Sequence, residues 1–305
     1  MMNKLISFLL FYSGLVFAQT DSTYIIVLGI AQDGGYPHIG CHKQCCMKVY
    51  NGELLHKSVV SLAVVDEKTN QWWLIEATPD ITAQLENFRT LTKNRFSYLP
   101  DAILLTHAHI GHYTGLMYLG REALGVHGQR VYALPRMKSF LEKNGPWSQL
   151  VELNNIHLDT MAADRPLQLS AKIHVTPFLV PHRDEYSETA GFRIRLGERT
   201  VLFIPDIDQW QRFSTSIVDL VKETDLAFLD ATFYSHRELP NRDPRDIPHP
   251  LITETMSLFE KSDAATRFKI LFIHFNHSNP ALWEPSIRQE IKNKNYRLAE
   301  EGTRY

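Results

Sequence analysis

Residues 102–116 read AILLTHAHIGHYTGL, an apolar run that is followed at once by His107, His109 and His112. The run AILL contains only side chains of the buried type, which predicts a strand inside a sheet. Three imidazoles placed so close together repel one another when protonated and contribute little to packing. Neutral imidazole, in contrast, is a common metal ligand. The stretch therefore predicts a strand that delivers three ligands to a metal ion.

Other apolar runs of the chain also end in residues that bind metals. One ligand-type residue follows each of three runs: His182 after 172–181, Asp206 after 199–205, and His274 after 268–273. Binding residues often lie in loops at the ends of strands, because the strands hold them rigidly. Imidazole and carboxylate together suit Zn²⁺, Fe²⁺ or Mn²⁺. We therefore expect these residues to form one metal centre with the histidine motif.

The order of the predicted elements indicates the fold class. Strand-like runs occur at 24–30, 58–66, 71–77, 101–106, 130–135, 172–182, 189–196, 199–206, 225–232 and 268–276. Apolar residues at helical spacing lie between them, at 78–91, 136–143, 211–224 and 252–262. This order predicts an α/β protein, namely an αββα sandwich of two mixed β-sheets flanked by helices. A doubly wound parallel sheet is the competing interpretation. The hairpin-like pairs at 58–77 and 189–206 disfavour it, and no phosphate-binding glycine pattern follows the first strand.

The composition is that of an ordinary globular protein. The chain has 305 residues, of which 44% are hydrophobic and 22% are charged, so it is long enough for a large core. Its formal net charge of -2 and its pI near 6.7 provide no overall attraction for nucleic acid. We therefore expect a small-molecule substrate and no nucleic-acid partner. The sequence leaves the oligomeric state open.

Residues 1–18 have the pattern of a secretory signal peptide. Lys4 precedes an apolar run from Leu5 to Phe17, and Ala18 is the small residue of a cleavage site. The run is short for a membrane-spanning helix, so we expect no stable membrane insertion, with an uncleaved anchor as the alternative. We expect residues 19–305 to form a single domain in the periplasm or outside the cell.

Four further stretches, together with THAHIGH at 106–112, indicate a family. They read VLGIAQDGGYPHIGC (27–41), LIEATPDITAQL (74–85), PHPLITE (248–254) and IHFNHSNP (273–280). With this ordered set of motifs, the chain resembles the metallo-β-lactamase-fold superfamily over almost its whole length after the first 18 residues. Within that superfamily it is most similar to proteins of the coenzyme PQQ synthesis protein B type and to the phosphonate-pathway cyclic phosphodiesterase. The resemblance implies the same αββα sandwich.

The resemblance also implies two metal positions. His107, His109 and His182 would hold the first position, whereas His112, Asp206 and His274 would hold the second, with Asp206 as the bridging ligand. The superfamily has an aspartate where this chain has Gly111, so the second position lacks one anionic ligand. We therefore expect one or two Zn²⁺ ions, or Fe²⁺ or Mn²⁺, in a mononuclear or asymmetric centre rather than a relic. Asp208, Glu185 or a water is expected to fill the gap.

Two residues have catalytic roles under this resemblance. Asp206 would orient a metal-activated water or accept its proton. His249 would give a proton to the leaving oxygen, as a histidine in a similar segment does in the phosphodiesterase relatives. A histidine suits this step because its ordinary pKa is close to neutrality. The alternative is that His249 is a histidine in an exposed, proline-rich loop.

The three cysteines, Cys41, Cys45 and Cys46, lie in one short segment. An odd, clustered set is a poor disulfide framework, and one local disulfide with a free thiol is one interpretation. The resemblance implies a different arrangement, in which these cysteines and His277, three residues after His274, form a structural zinc site. Lys43 stands where the family has a second cysteine, and Cys45 is the candidate substitute for it.

Three functions fit these residues. The first is an exported metal-dependent hydrolase acting on a phosphodiester or a cyclic phosphate, with lactams and other amides less favoured. The second, implied by the PQQ-synthesis resemblance, is iron-dependent oxidation of a tyrosine-derived or peptide substrate. The third is a non-catalytic protein that binds metal or ligand. Zinc with hydrolysis, iron with oxygen consumption, and metal without turnover would distinguish the three.

Overall fold

The computed structural model describes residues 22–239, Asp243 and residues 248–305, and the signal-peptide prediction for 1–18 lies outside these residues. The first sheet consists, in spatial order, of β1 (Thr23–Gly29), β2 (Ser61–Asp66), β3 (Gln71–Ile75), β4 (Ala102–Leu104), β5 (Gln129–Ala133) and β6 (Ile156–Thr160). The second sheet consists, also in spatial order, of β7 (Leu167–Gln168), β8 (Ile173–Leu179), β9 (Ala190–Leu196), β10 (Arg199–Ile204), β11 (Leu226–Asp230), β12 (Ile270–Ile273) and β13 (Arg297–Leu298).

Both sheets are mixed. In the first sheet, β1, β2 and β3 pair antiparallel, and β3 to β6 pair parallel. In the second sheet, β7 to β10 pair antiparallel, and β10 to β13 pair parallel. One hydrophobic core contains side chains from both sheets. This arrangement confirms the predicted αββα sandwich, and the alternative of a doubly wound parallel sheet is wrong.

The α-helices are α1 (Gln44–Tyr50), α2 (Ile81–Leu91), α3 (Ile110–Tyr113), α4 (Pro135–Lys143), α5 (Trp147–Glu152), α6 (Ile217–Lys222), α7 (Ile252–Leu258), α8 (Ala264–Phe268) and α9 (Pro285–Asn293). Within the described part of the chain, none has both the length and the apolar character that a bilayer crossing requires. The helix predicted at 211–224 is shorter than expected. It begins only after Ser216, whose hydroxyl caps it by accepting a hydrogen bond from the Asp219 N–H.

The side chains of β1 explain why its sequence is apolar throughout. Ile25 and Val27 face the core between the two sheets, whereas Ile26 and Leu28 pack on the opposite face with side chains of α2. All four side chains are buried. A strand that is covered on both faces needs apolar residues at successive positions rather than at alternate ones.

The strands that precede the ligand-type residues bring those residues to one edge of the sandwich. β4 ends just before the histidine motif, and β8, β10 and β12 end just before His182, Asp206 and His274. At this edge the Ala190 N–H donates a hydrogen bond of 3.1 Å to the Thr106 carbonyl, which connects the second sheet to the first. The ends of rigid strands from two sheets therefore hold one set of side chains.

Candidate metal centre

The histidine motif and its partners form a first group of four ligand-type side chains. His107, His109, His182 and Asp206 each place one ligand atom within 4.8 Å of the others. His109 Nδ1 lies 2.9 Å from His107 Nε2 and 3.2 Å from His182 Nε2. Ligand atoms at about 2.0 Å from a tetrahedral ion are about 3.3 Å apart, so these nitrogens fit around one ion such as Zn²⁺.

A second group adjoins the first. It consists of Asp33, His112, Asp206 and His274, whose ligand atoms also lie within 4.8 Å of one another. Asp206 Oδ2 is 3.3 Å from His112 Nε2 and 3.4 Å from His274 Nε2. Asp206 thus belongs to both groups, as expected of a bridging ligand. Asp33, in contrast, was not predicted from the sequence.

Asp33 occupies the space into which a side chain at position 111 would extend. A Cβ atom added to Gly111 would be only 2.3 Å from Asp33 Oδ1. The same oxygen lies 3.2 Å from His112 Nε2. The second group therefore has a carboxylate on this side, although the histidine motif itself lacks one.

Unpaired buried atoms show that the two groups fit a cation. Of the buried atoms without a hydrogen-bond partner in the described part of the chain, four face the two groups: Asp33 Oδ1, His112 Nε2, Asp206 Oδ1 and His274 Nε2. An unsatisfied buried polar atom costs about 1–3 kcal/mol. Because these atoms face the two groups, a divalent metal coordinated there would satisfy them, and the residues fit such an ion.

On each histidine of the two groups, one ring nitrogen faces the other ligands. The second ring nitrogen lies near a residue outside the two groups. The pairs are Thr106 with His107 (2.9 Å), Glu185 with His109 (3.5 Å), Glu76 with His112 (3.3 Å), Asp208 with His182 (3.2 Å) and Thr232 with His274 (2.9 Å). Such partners fix the tautomer and the orientation of a metal-binding imidazole. Asp208 and Glu185 thus support the first group, and the expectation that one of them fills the gap at Gly111 does not hold.

The charges of Asp206, Asp33 and His107 suit metal binding. His112 would have to lose a proton to a bound metal, since burial alone would lower its pKa but Glu76 and the nearby carboxylates raise it well above its ordinary value. Burial alone would raise the pKa of Asp206, but His182 and other neighbouring histidines hold it well below its usual range. Burial would likewise raise the pKa of Asp33, and contact with His112 outweighs that effect and lowers it. Burial and nearby positive charge keep the pKa of His107 well below its ordinary value, so that this imidazole is neutral. Anionic carboxylate and neutral imidazole are the forms that bind metals.

His249 lies beside the shared carboxylate. Its Nδ1 is 2.9 Å from Asp230 Oδ2 and 3.2 Å from Asp206 Oδ1. The side chain is buried, so the alternative of a histidine in an exposed loop is wrong. Burial alone would lower the pKa of His249, but the carboxylates of Asp230 and Asp206 raise it to about 9. Asp230, the last residue of β11, was not predicted from the sequence.

The cysteines form a separate group near the end of β12. Cys41, Cys46 and His277 place their ligand atoms within 4.8 Å of one another. All three cysteines are free thiols, so the structure contains no local disulfide among them. Cys45 lies outside this group, with its sulfur 3.9 Å from that of Cys41. Successive residues of a helix point about 100° apart, and Cys45 and Cys46 of α1 therefore cannot face one ion equally.

The histidine of this group is in the form that binds metals. Burial and the nearby His38 and Lys43 lower the pKa of His277 to about 4, which keeps its imidazole neutral. Its Nδ1 is buried and has no hydrogen-bond partner among the described residues. Cys41, Cys46 and His277 thus remain candidates for a structural zinc site, which would need a fourth ligand.

Replacing Cys41 with serine is expected to remove about one metal ion per chain and to lower the melting temperature, because a structural metal contributes directly to folding. The metal of the histidine groups should remain. Elemental analysis and thermal unfolding measure both effects. Cys45→Ser is the matched control and should cause the smaller loss. A disulfide between Cys41 and Cys46 in peptide maps of the native protein would contradict the prediction.

Two mixed sheets, outer helices and a histidine-rich centre at one edge define the metallo-β-lactamase fold, which is typical of metal-dependent hydrolase-type enzymes. The chain belongs to this superfamily, because the family described as "Beta-lactamase superfamily domain" matches residues 71–275. The matched segment contains every ligand predicted for the two metal positions. Asp33 and the cysteines lie outside it.

Individual relatives agree with this assignment over nearly the whole chain. "Coenzyme PQQ synthesis protein B" of Rhizobium meliloti (strain 1021) is 24% identical over 304 residues, which cover 93% of this chain and 98% of that protein. The solved structure of Zn(2+)-bound PqqB from Methylobacterium extorquens has a TM-score of 0.75 at 20% identity, covering 92% of this chain and 99% of that one. A diphosphatase from the PhnP family has a TM-score of 0.66 at 20% identity, covering 93% and 96%. The predicted resemblance is confirmed, and structural likeness at this identity shows the fold.

Proposed function

We propose that this protein is an exported metal-dependent hydrolase that uses a metal-activated water on a phosphodiester or a cyclic phosphate. The observation that carries the proposal is the position of His249, whose ring lies 3.2 Å from the shared ligand Asp206. A phosphodiester releases an alkoxide, which needs a proton as the P–O bond breaks. A buried acid next to the metal centre suits that need.

The groups at the centre have different chemical roles in this proposal. A divalent metal bound there supplies Lewis acidity and lowers the pKa of water toward about 7. Asp206 orients the attacking water or accepts its proton. Asp230 accepts the Nδ1–H of His249 at 2.9 Å, which fixes the tautomer and leaves Nε2–H to protonate the leaving oxygen.

Each of the two groups has one partly exposed ligand. The side chain of His109 in the first group is 14% exposed, and that of Asp33 in the second group is 20% exposed. A substrate phosphate would therefore meet the centre on the side of these two residues.

Oxidation is the second candidate function, because relatives named coenzyme PQQ synthesis protein B match this chain over nearly its full length. The same histidines and carboxylates suit Fe²⁺ as well as Zn²⁺. In this candidate the substrate is tyrosine-derived or a peptide, and oxygen is consumed.

One experiment tests the proposal against this alternative. The protein is recovered from the periplasm as a chain that begins at Gln19, and its metals are measured by elemental analysis. It is then assayed with a cyclic phosphate, a linear phosphodiester, a lactone and a lactam. We expect zinc and hydrolysis of a phosphate ester. Iron with oxygen consumption would favour the oxidation, and bound metal without any turnover would overturn both proposals.

A further inference from the structure

The space beside Gly111 is taken by a residue that is distant in sequence. A Cβ atom at position 111 would lie 2.3 Å from Asp33 Oδ1, 2.7 Å from Asp33 Cα and 2.9 Å from Asp33 Cγ. Since Cα is a backbone atom and cannot move without the rest of the residue, any side chain at 111 displaces the backbone of Asp33. Gly111 lies in α3 and is not among the residues with positive φ. The glycine is therefore required for space rather than for backbone conformation.

The carboxylate of Asp33 faces the second group. Its Oδ1 lies 3.2 Å from His112 Nε2 and 3.9 Å from His274 Nε2. This oxygen is buried and has no hydrogen-bond partner among the described residues. A buried carboxylate oxygen without a donor is costly unless a cation neutralises it. The side chain is thus placed as a ligand rather than as a structural hydrogen-bond acceptor.

Backbone hydrogen bonds hold Asp33 at this position. The Gln32 N–H donates to the Phe275 carbonyl at 2.8 Å, and the Phe275 N–H donates to the Ile30 carbonyl at 2.8 Å. Phe275 directly follows His274, so these bonds attach the loop to the backbone beside a ligand of the second group. Gly35 then turns the chain with φ +69°. The loop is therefore hydrogen-bonded to the backbone that delivers His274 to the centre.

We infer that Asp33 is the carboxylate ligand of the second metal position and replaces the aspartate that the superfamily has at position 111. The exchange keeps two imidazoles and two carboxylates around that position, with Asp206 shared. A second metal is then bound as well as in a motif with its own aspartate, and the centre is dinuclear. This inference rests on the metal centre of the proposed function but not on its substrate.

Titration of the metal-free protein with Co²⁺ tests this inference. Thiolate-bound Co²⁺ has its own charge-transfer band, so the histidine groups can be counted separately from the cysteine group. Wild-type protein should bind two equivalents in the histidine groups. Asp33→Asn keeps the shape but loses the charge, and it should weaken the second equivalent by at least about 10- to 100-fold. Asp219→Asn, which alters an exposed carboxylate on α6, should keep both equivalents.

Moving the aspartate from position 33 to position 111 provides a second test. Gly111→Asp alone should weaken the second equivalent or destabilise the protein, because two side chains then compete for one space. Asp33→Gly combined with Gly111→Asp should restore the affinity for the second equivalent. The inference is overturned if Asp33→Asn keeps the wild-type affinity for both equivalents, or if the double variant binds no better than Asp33→Gly. The readout of this experiment is metal binding. If the protein binds the second equivalent normally but turns over no substrate, that result counts against the proposed function alone.

Discussion

Asp206→Asn is expected to release metal from both positions and to lower kcat/KM by about a thousandfold or more. The Asp206 carboxylate is buried, and its oxygens lie 3.2–3.4 Å from five imidazoles: those of His107, His112, His182, His249 and His274. Asparagine keeps the volume but loses the charge that offsets two cations. A Lewis-acid metal contributes several kcal/mol to catalysis, and about 4 kcal/mol corresponds to a thousandfold in rate.

Elemental analysis and steady-state kinetics on one preparation measure both effects of this change. Asp219→Asn is the matched control, because Asp219 lies in α6, is 66% exposed and pairs only with Lys222 in the ion pairs of the described residues. The control should keep wild-type metal content and rate. If Asp206→Asn keeps both of its metal ions, Asp206 is not the shared ligand.

The histidine motif shows what the sequence predicts well. His107, His109 and His112 follow a short apolar strand, and the local pattern alone indicates both the strand and the ligands. His182, Asp206 and His274 were predictable for the same reason, because each directly follows a buried run. A ligand that is placed by its own strand can be located from local sequence.

Asp33 shows what the sequence does not predict. Its contact with Gly111 joins two residues 78 positions apart, and it depends on how the first loop crosses the end of β12. Local periodicity contains no information about such a crossing. Glu76 was missed for a related reason, since its role appears only where the parallel strands β3 and β4 bring it beside His112.

Two further differences arise where the three-dimensional structure overrides the local sequence pattern. The apolar spacing of 211–224 predicted one helix, but the chain first makes a 3₁₀ turn at Trp210–Arg212, and the indole of Trp210 donates to Thr255 Oγ1 at 2.9 Å. Tertiary contact thus outweighs helical propensity in this segment. Cys45 was expected in the zinc group as the substitute for the cysteine that the family has in place of Lys43. Cys45 lies one residue before Cys46 on α1, so its side chain points in a different direction from that of Cys46.

His249→Gln is expected to lower turnover by an amount that depends on the leaving group of the substrate. For a phosphodiester with an alkyl leaving group, removal of the general acid should lower kcat by about 10²- to 10⁴-fold. For a p-nitrophenyl ester the loss should be less than about tenfold, because nitrophenolate leaves without a proton. Comparison of the two substrates on the same preparation measures the role directly. Metal content should stay at the wild-type value.

Two controls separate proton donation from a general effect on the centre. Asp230→Asn should show the same dependence on leaving group with a smaller loss, because Asp230 orients the imidazole through its 2.9 Å contact with Nδ1. Its carboxylate also accepts hydrogen bonds from the Ile207 N–H and from Thr232, so thermal unfolding of this variant is measured alongside its rates. His157→Gln changes a histidine that is 63% exposed on β6 and should leave both rates unchanged. Equal losses for the two substrates would show that His249 supports the centre without donating a proton. The phosphodiester proposal would then lose the observation that carries it, whereas the assignment of the metal ligands would stand.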